Sequence, residues 1–340
     1  MIRQHSIRFL RVVVFCCMVA GGLTALMPKR PHTLAAGSAP TVINIVGWRG
    51  SDRNSGVAQV ALPSKAIEVE ISYARLPPLY ATESRLPGCL RNGVFAATLG
   101  KAVSPSIQAI GIFRAASTTP WSLERIVHAP GASIGCLSLS PDGSAIAYWC
   151  SSENRKVVRV LDLSSGILRT ILLKPAFRDG VSISLGHEHM IYVWDTTERS
   201  ETTAIWAYDR FGRGRIVGTY HAVWTNRIGD YGVTSQYKNS VTDIRAVRID
   251  PSTSASSYLD FKTGRPGDNE AGVRKAYVYG LTSTDDGKFW GAMYRTRDAA
   301  NYDVRNPEID LWKQGQAFPI YTADDFKFRT LIPFGLEAPR

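Results

Sequence analysis

Three short constellations in this sequence could do chemistry. Gly131-Ala132-Ser133-Ile134-Gly135 has the Gly-x-Ser-x-Gly spacing of a nucleophile elbow, a strained strand-to-helix turn that exposes a serine hydroxyl beside oxyanion-holding N–H groups. His187-Glu188-His189 sets two imidazoles two residues apart, so that on a strand they would share a face and reach one metal ion, with Glu188 pointing away. Asp285-Asp286-Gly287 and Asp324-Asp325 supply the paired carboxylates that a calcium site needs.

The surroundings weaken each of them. The serine pattern runs straight into Cys136-Leu137-Ser138-Leu139 and a Pro-Asp-Gly turn, which reads as strand, and the chain lacks the βα alternation of a hydrolase domain. A tight entry to a strand is the better reading of its glycines. On a hairpin turn the two histidines are simply solvated, so His187 and His189 remain weak metal candidates, and no cofactor is expected. The acidic pairs lack the spaced oxygen ligands of an EF-hand, and turn capping accounts for the first pair. His128 and His221 fall near the boundaries of the repeating units described next, and no residue is assigned a catalytic role.

The element that organises the chain is Ser138 to Gly166, SLSPDGSAIAYWCSSENRKVVRVLDLSSG. The apolar runs Ile134–Leu139, Ile146–Cys150 and Val157–Leu163 are short, β-branched or aromatic, and bounded by turn formers, which is how strands are written. Pro141 presets φ for a turn and Gly143 accepts a positive φ. The unit is therefore three strands joined by two hairpins, too little apolar surface to stand alone.

The unit repeats. Trp149 to Trp194 is 45 residues, Asp162 to Asp209 is 47, and Asp250 lies 41 beyond Asp209. Thr284-Asp285-Asp286-Gly287-Lys288-Phe289-Trp290 matches Ser140 to Ile146 at a shift of 144, and Ile309 to Gly315 matches Val160 to Gly166 at 149. Strand, turn, strand, strand at a period of 40–50 residues is the signature of a β-propeller. The expectation is an all-β chain whose propeller domain spans residues 41–340. It would carry six blades of four antiparallel strands, near 41–90, 91–133, 134–176, 177–220, 221–275 and 276–330, with seven blades the alternative. Trp149, Trp194 and Trp290 fall on or beside the second strand of their units, so packing between blades is expected of them ahead of a stacking platform for sugar or peptide.

Residues 1–40 differ from the rest. Arg3, Arg8 and Arg11 precede an uncharged run, Val12 to Leu26, with the layout of a signal peptide. Its 15 residues are short of the roughly 20 that span a bilayer. Leu34-Ala35-Ala36 offers a cleavage site, whereas Lys29 and Arg30 favour a retained membrane anchor through residues 12–26. The segment holds five Lys or Arg and no acid, so the formal charge of +11 falls to +6 for the remainder. That excess forms no Lys/Arg stripe with interleaved aromatics, and no nucleic-acid partner is expected.

Outside this segment only Cys89, Cys136 and Cys150 remain, and in an oxidising compartment one pair could bridge. Cys136 and Cys150 flank the Pro-Asp-Gly turn. If paired positions sum to 286 they lie opposite one another; if they sum to 285 the cysteines point to opposite faces, while Leu139 meets Ile146 and Leu137 meets Tyr148, which packs better.

Ser140-Pro141-Asp142-Gly143 followed by Ile146-Ala147-Tyr148, then Val160-Leu161-Asp162-Leu163-Ser164-Ser165-Gly166, resembles the repeat of TolB-type β-propellers, the WD-like family with a Ser-Pro-Asp-Gly turn. The resemblance covers one blade well and a second moderately. It implies the propeller fold and residence outside the cytoplasm, secreted or held at the outer face of the membrane. It leaves two function classes open: a non-catalytic propeller that binds a protein, peptide or cell-envelope polymer, or a propeller enzyme of polysaccharide lyase or lactonase type with its site in the central channel.

Overall fold

The Pro-Asp-Gly hairpin forms as its residues dictate. β9 (Ile134–Leu139) and β10 (Ala145–Ser152) pair with Ile146 opposite Leu139 and Tyr148 opposite Leu137, the register in which paired positions sum to 285. Gly143 takes φ 72° and its N–H returns to the Ser140 carbonyl at 2.8 Å. A bulge beyond Tyr148 sets Cys150 opposite Ile134. Cys150 therefore faces the cluster it shares with Ile110 and Leu137, Cys136 packs on the other side with Val181 and Ile183, and Cys89, Cys136 and Cys150 are free thiols.

The structure is a computed structural model and describes residues 43–49, 56–62, 71–76, 80–82, 89–101, 104–115, 121–128, 134–152, 155–173, 177, 181–195, 202–238, 241–249, 258–262, 275–297, 308–316, 320 and 331–337. The amino-terminal segment, Ser133 and the Asp324-Asp325 pair lie outside these residues. No helix among the described residues is long and apolar enough to cross a membrane.

Six antiparallel sheets make a six-bladed propeller. Blade 1 holds β1 (Ile43–Arg49), β2 (Gly56–Leu62) and β3 (Ile71–Arg75). Blade 2 holds β4 (Tyr80–Thr82), β5 (Cys89–Arg91), β6 (Val94–Lys101), β7 (Ser104–Arg114) and β8 (Ser122–His128), its inner strand being split into β4 and β5, which both pair with β6. Blade 3 adds β11 (Arg155–Asp162) and β12 (Leu168–Leu172) to β9 and β10. Blade 4 is β13 (Val181–Leu185), β14 (Ile191–Asp195), β15 (Thr203–Tyr208) and β16 (Gly214–Tyr220). Blade 5 is β17 (Ala222–Thr225), β18 (Asp230–Lys238), β19 (Val241–Arg248) and β20 (Tyr258–Lys262). The described strands of blade 6 are β21 (Lys275–Ser283), β22 (Phe289–Arg297) and β23 (Glu308–Lys313).

The last strand, β24 (Leu331–Glu337), leaves blade 6 and pairs with β1 as the inner strand of blade 1. This sets blade 1 apart from the sequence division, which ran it to residue 90 and carried blade 6 to 330. Closing the ring with a strand from the far end of the domain seats the last blade against the first and leaves only short, protected edges. The inner strands β24, β5, β9, β13, β17 and β21 each adjoin the next, so the circle is complete.

Packing between blades follows from strand alternation, each sheet offering one row of apolar side chains to either neighbour. Trp290, only 1% exposed, lies between blades 5 and 6 with Tyr231 edge-on at 5.2 Å and Phe261 at 5.6 Å. Trp194 is buried, and Trp149 is half-buried against Gly135, where an added Cβ would fall 1.8 Å from the indole. The second glycine of the serine pattern thus makes room for a tryptophan.

Candidate functional site

Strand direction alternates across a blade, so the turn between the first and second strands of every blade opens on one face. These inner turns are Asn92-Gly93 in blade 2 and those beginning at Ser140, Gly186, Asn226 and Thr284 in blades 3 to 6. Blade 1 has none, because β24 and β1 are not consecutive.

Two of the turns share one framework. In blade 3 the Ser140 hydroxyl donates to Asp142 Oδ1 at 2.5 Å, Asp142 accepts the Ser144 N–H at 3.0 Å, and Ser140 Oγ accepts the Ala145 N–H at 2.9 Å. Blade 6 repeats it with Thr284 donating to Asp286 at 2.7 Å, Asp286 accepting the Lys288 N–H at 3.1 Å and Thr284 Oγ1 accepting the Phe289 N–H at 3.2 Å. Gly287, like Gly143, sits at positive φ, 67°. Blade 5 substitutes Asn226, whose Oδ1 accepts the N–H groups of Ile228 and Gly229 at 2.9 and 3.1 Å.

Blade 4 has Gly186 where the others carry a polar side chain, and its brace comes from the next blade. Asp230, buried at the start of β18, accepts the Tyr192 hydroxyl at 2.8 Å and the His187 N–H at 3.2 Å, and lies 2.8 Å from His187 Nδ1. A Cβ on Gly186 would meet Asp230 Oδ2 at 2.5 Å, so the glycine is the space the carboxylate fills. The hydrogen bond with Asp230 raises the His187 pKa above its ordinary value, and burial pushes the Tyr192 hydroxyl pKa up. His187, Glu188 and His189 form a tight 3-10 turn with positive φ at Glu188 and His189, and His189 points to solvent. The two imidazoles therefore do not share a strand face. Among the described residues no group of three His, Cys, Asp or Glu side chains could hold a metal ion.

The residue following the first turn position differs in each of blades 3 to 6: Pro141, His187, Arg227 and Asp285. Asp285 occupies the proline's place and turns to another blade, accepting the Asn92 N–H at 2.8 Å. The Asn92 side chain donates to the Asp142 carbonyl at 2.9 Å. Beside it Arg91, 4% exposed, lays its guanidinium 3.8 Å over the Trp224 ring of blade 5 and donates to the Leu90 carbonyl at 2.6 Å. Burial lowers the Arg91 pKa to about 10, while the Asp285 and Asp230 carboxylates work to keep it charged. Trp224 is fixed in turn, its indole N–H donating to Ser283 at 3.0 Å, where the Asn226 amide also ends. Blade 2 thus reaches blades 3, 5 and 6, and Arg91 and Asn92 stitch the inner-turn end of the channel.

Beside this stitching lies a cleft of about 650 Å³, at the place where blade 1 lacks a turn. Asn92, Arg114, Arg227, Ile228, Asp285 and Glu337 line it. Arg114 is paired with Glu124 at 2.6 Å. Burial raises the Asp285 pKa, an effect that Arg91, the Asn92 N–H and Arg227 offset only in part. The arrangement offers cations, a carboxylate of altered acidity and an apolar wall, which suits recognition of a mixed-charge ligand.

Of the residues singled out in the sequence, His187 and the Asp285-Asp286 pair fall at these turns. Asp286 caps its turn as expected, whereas Asp285 serves a contact between blades. His128 ends β8 and His221 precedes β17, both away from the cleft-lining residues. Arg91, Trp224, Arg227 and Asp230 carried no local pattern. The Asn-Gly pair that follows Arg91 is a hairpin signal that could have marked the first of them.

No family model matches the chain, and a search of curated proteins finds no match. Solved structures with a similar arrangement include a protein from Lactobacillus plantarum at 15% identity, covering 81% of this chain and 82% of that one with a TM-score of 0.45. TolB from Acinetobacter baumannii aligns at 11% identity over 82% and 67% of the two chains, TM-score 0.43. Oligogalacturonate lyase from Vibrio parahaemolyticus aligns at 10% over 80% and 76%, TM-score 0.45. A TolB protein and an enzyme thus stand side by side among the neighbours, and neither activity passes to this chain.

Proposed function

We propose that this chain is an exported, non-catalytic binding propeller that engages a protein, peptide or cell-envelope polymer at the inner-turn cleft. The observation that carries the reading is how the polar groups beside the cleft are used: Arg91 lies on Trp224, and Asn92 is held between Asp142 and Asp285. Catalysis by acid–base or nucleophilic groups needs such a group within reach of a substrate atom, whereas Arg91 and Asn92 here hold one blade to another. The basic, apolar layout of residues 1–26 supports work outside the cytoplasm, by cleavage or by anchoring through 12–26.

One observation favours the runner-up, a propeller lyase or lactonase. His187, Asp230 and Tyr192 make a hydrogen-bonded histidine–carboxylate–phenol group, and the histidine is 41% exposed. The two readings part in one experiment. Purified protein is assayed against uronate polysaccharides and lactones, and separately used to select peptides from a random display library, with soluble peptidoglycan fragments as a second binding probe. Peptide or fragment binding that is lost in Arg227→Glu, with no turnover, is the expected result. Turnover abolished by His187→Ala would establish the enzyme instead.

A further inference from the structure

The hairpin turns between the third and fourth strands open on the same face as the cleft, but at its rim. Among the described residues, Gly166 in blade 3, Gly212 in blade 4 and Gly315 after β23 in blade 6 sit at positive φ. In blades 3 and 4 an aspartate caps the turn, Asp162 accepting the N–H groups of Ser164 and Ser165 at 2.9 and 2.8 Å and Asp209 those of Phe211 and Arg213 at 2.8 and 3.0 Å. The frameworks agree, and the tips do not. Blade 6 shows Lys313-Gln314-Gly315-Gln316, polar throughout. Blade 3 presents Ile167, 63% exposed, and blade 4 presents Phe211, 69% exposed.

These two tips belong to adjacent blades. A Cβ on Gly212 would lie 3.6 Å from Ile171 of β12, so the blade 4 turn stands over the outer strand of blade 3. Ile216, the third residue of β16, is 56% exposed and pairs with Trp206 on the side that faces blade 3, while the exposed Leu168 and Leu172 of β12 lie on its blade 2 side. Nothing in the turn chemistry requires large apolar side chains here. Single exposed apolar residues are ordinary, but two large apolar tips on adjacent blades with Ile216 on the same side are a patch.

Charge decides what the patch meets. The hairpin Asp209–Ile216 carries three arginines, Arg210, Arg213 and Arg215, against one acid. The guanidinium carbons of Arg210 and Arg213 lie 4.8 and 5.4 Å from the Phe211 ring centroid. Arg213 is also paired with Asp209 at 2.7 Å, which leaves Arg210 and Arg215, and an aromatic tip with cations beside it matches an interface with an apolar interior and anionic heads. A second copy of this chain would bring the same arginines against one another.

We propose that the rim of blades 3 and 4 rests on an anionic bilayer surface, with Phe211 and Ile167 entering the headgroup region and Arg210 and Arg215 meeting lipid phosphates. The contact depends neither on the cleft nor on residues 12–26.

The test uses the full chain with Phe211→Trp as a local reporter, mixed with vesicles of phosphatidylcholine alone or with phosphatidylglycerol, with and without brominated acyl chains. Brominated anionic vesicles should quench the added tryptophan beyond the quenching of the parent chain, and phosphatidylcholine alone should not. Each arginine near such a surface contributes about fivefold in partitioning, so reversing two, Arg210→Glu with Arg215→Glu in the reporter background, should weaken the extra quenching by about tenfold or more. Ile167→Ser, at an exposed position, should weaken it with no change in thermal unfolding. Extra quenching that is absent, equal in uncharged vesicles, or indifferent to the arginine reversal overturns the proposal. So does a concentration-dependent dimer in vesicle-free solution that Phe211→Ser abolishes, which would assign the patch to a second copy.

Discussion

The inner turns of blades 3 and 6 are built alike and used differently. Ser140 and Thr284, Asp142 and Asp286, Gly143 and Gly287 make corresponding hydrogen bonds, and the residue between the first two is Pro141 in one and Asp285 in the other. The proline presets its turn and makes no polar contact there. The aspartate departs from that economy and reaches Asn92 of blade 2. The comparison teaches that the hydroxyl, carboxylate and glycine maintain the turn, while the residue they carry between them is free to vary, and it is this residue that differs from blade to blade.

The comparison can be broken most forcefully behind the turns. Ile146 and Trp290 occupy equivalent positions and both are fully buried, but the tryptophan fills a larger space among Tyr231, Phe261 and Trp312. Trp290→Ala should cost about 3–5 kcal/mol and Ile146→Ala about 2–5 kcal/mol, read from urea unfolding, with the tryptophan the greater loss. Equal small losses would mean that the blades do not pack as described.

The glycines come next. Gly143→Ala and Gly287→Ala both force a Cβ into the left-handed region, at about 1–2 kcal/mol each. Gly143→Ala should be the worse of the two, because its Cβ would meet the Arg91 carbonyl at 3.0 Å, whereas at Gly287 the obstacle is the mobile end of Ile228. Unfolding midpoints of the two variants side by side check the order.

A smaller effect sharpens the contrast between the carboxylates. Burial pushes the pKa values of Asp142 and Asp286 up, but hydrogen bonds from Ser140 and Ser144, and from Thr284 and Lys288, outweigh it and leave both below 3.8. Their stabilisation is present above that value and is lost as pH falls below it. Asp285 is raised instead, so its contribution is fully present below pH 3.8 and is lost as pH rises through its folded value. Asp286→Asn should therefore flatten the acid limb of stability against pH, and Asp285→Asn should flatten the opposing slope just above it. His187 behaves as Asp285 does, at higher pH: its bond to Asp230 stabilises fully below about 6.5 and fades as pH rises through the raised folded value. His187→Asn should remove that fade, measured between neutral and mildly alkaline pH.

Much of the fold was legible because hairpins write themselves locally. Pro141, Asp142 and Gly143 mark a turn, and of the two registers left open on either side the better-packed one, with Cys136 and Cys150 on opposite faces, is the one that forms, a bulge then shifting Cys150 to Ile134. Closure was not legible: β24 joins β1 across the whole length of the domain, a pairing that no local pattern announces. The site was legible only in fragments. His187 stood out as an imidazole beside another, yet its partner is Asp230, 43 residues on, and Gly186 makes sense only once that carboxylate is seen in its place. Arg91 and Trp224 meet across the channel, and contact at that separation follows from the circle and not from spacing.

Asp285→Pro tests the central claim most directly, since it writes the blade 3 residue into the blade 6 turn. The shared framework should accept it, because the return bonds from Gly143 to Ser140 at 2.8 Å and from Gly287 to Thr284 at 2.9 Å describe the same turn. Thermal unfolding should move by less than about 5 °C, as the loss of one partly exposed contact implies, while the affinity for peptides selected on the parent protein collapses. A variant that unfolds far earlier would contradict the common framework, and one that binds those peptides undiminished would contradict the cleft.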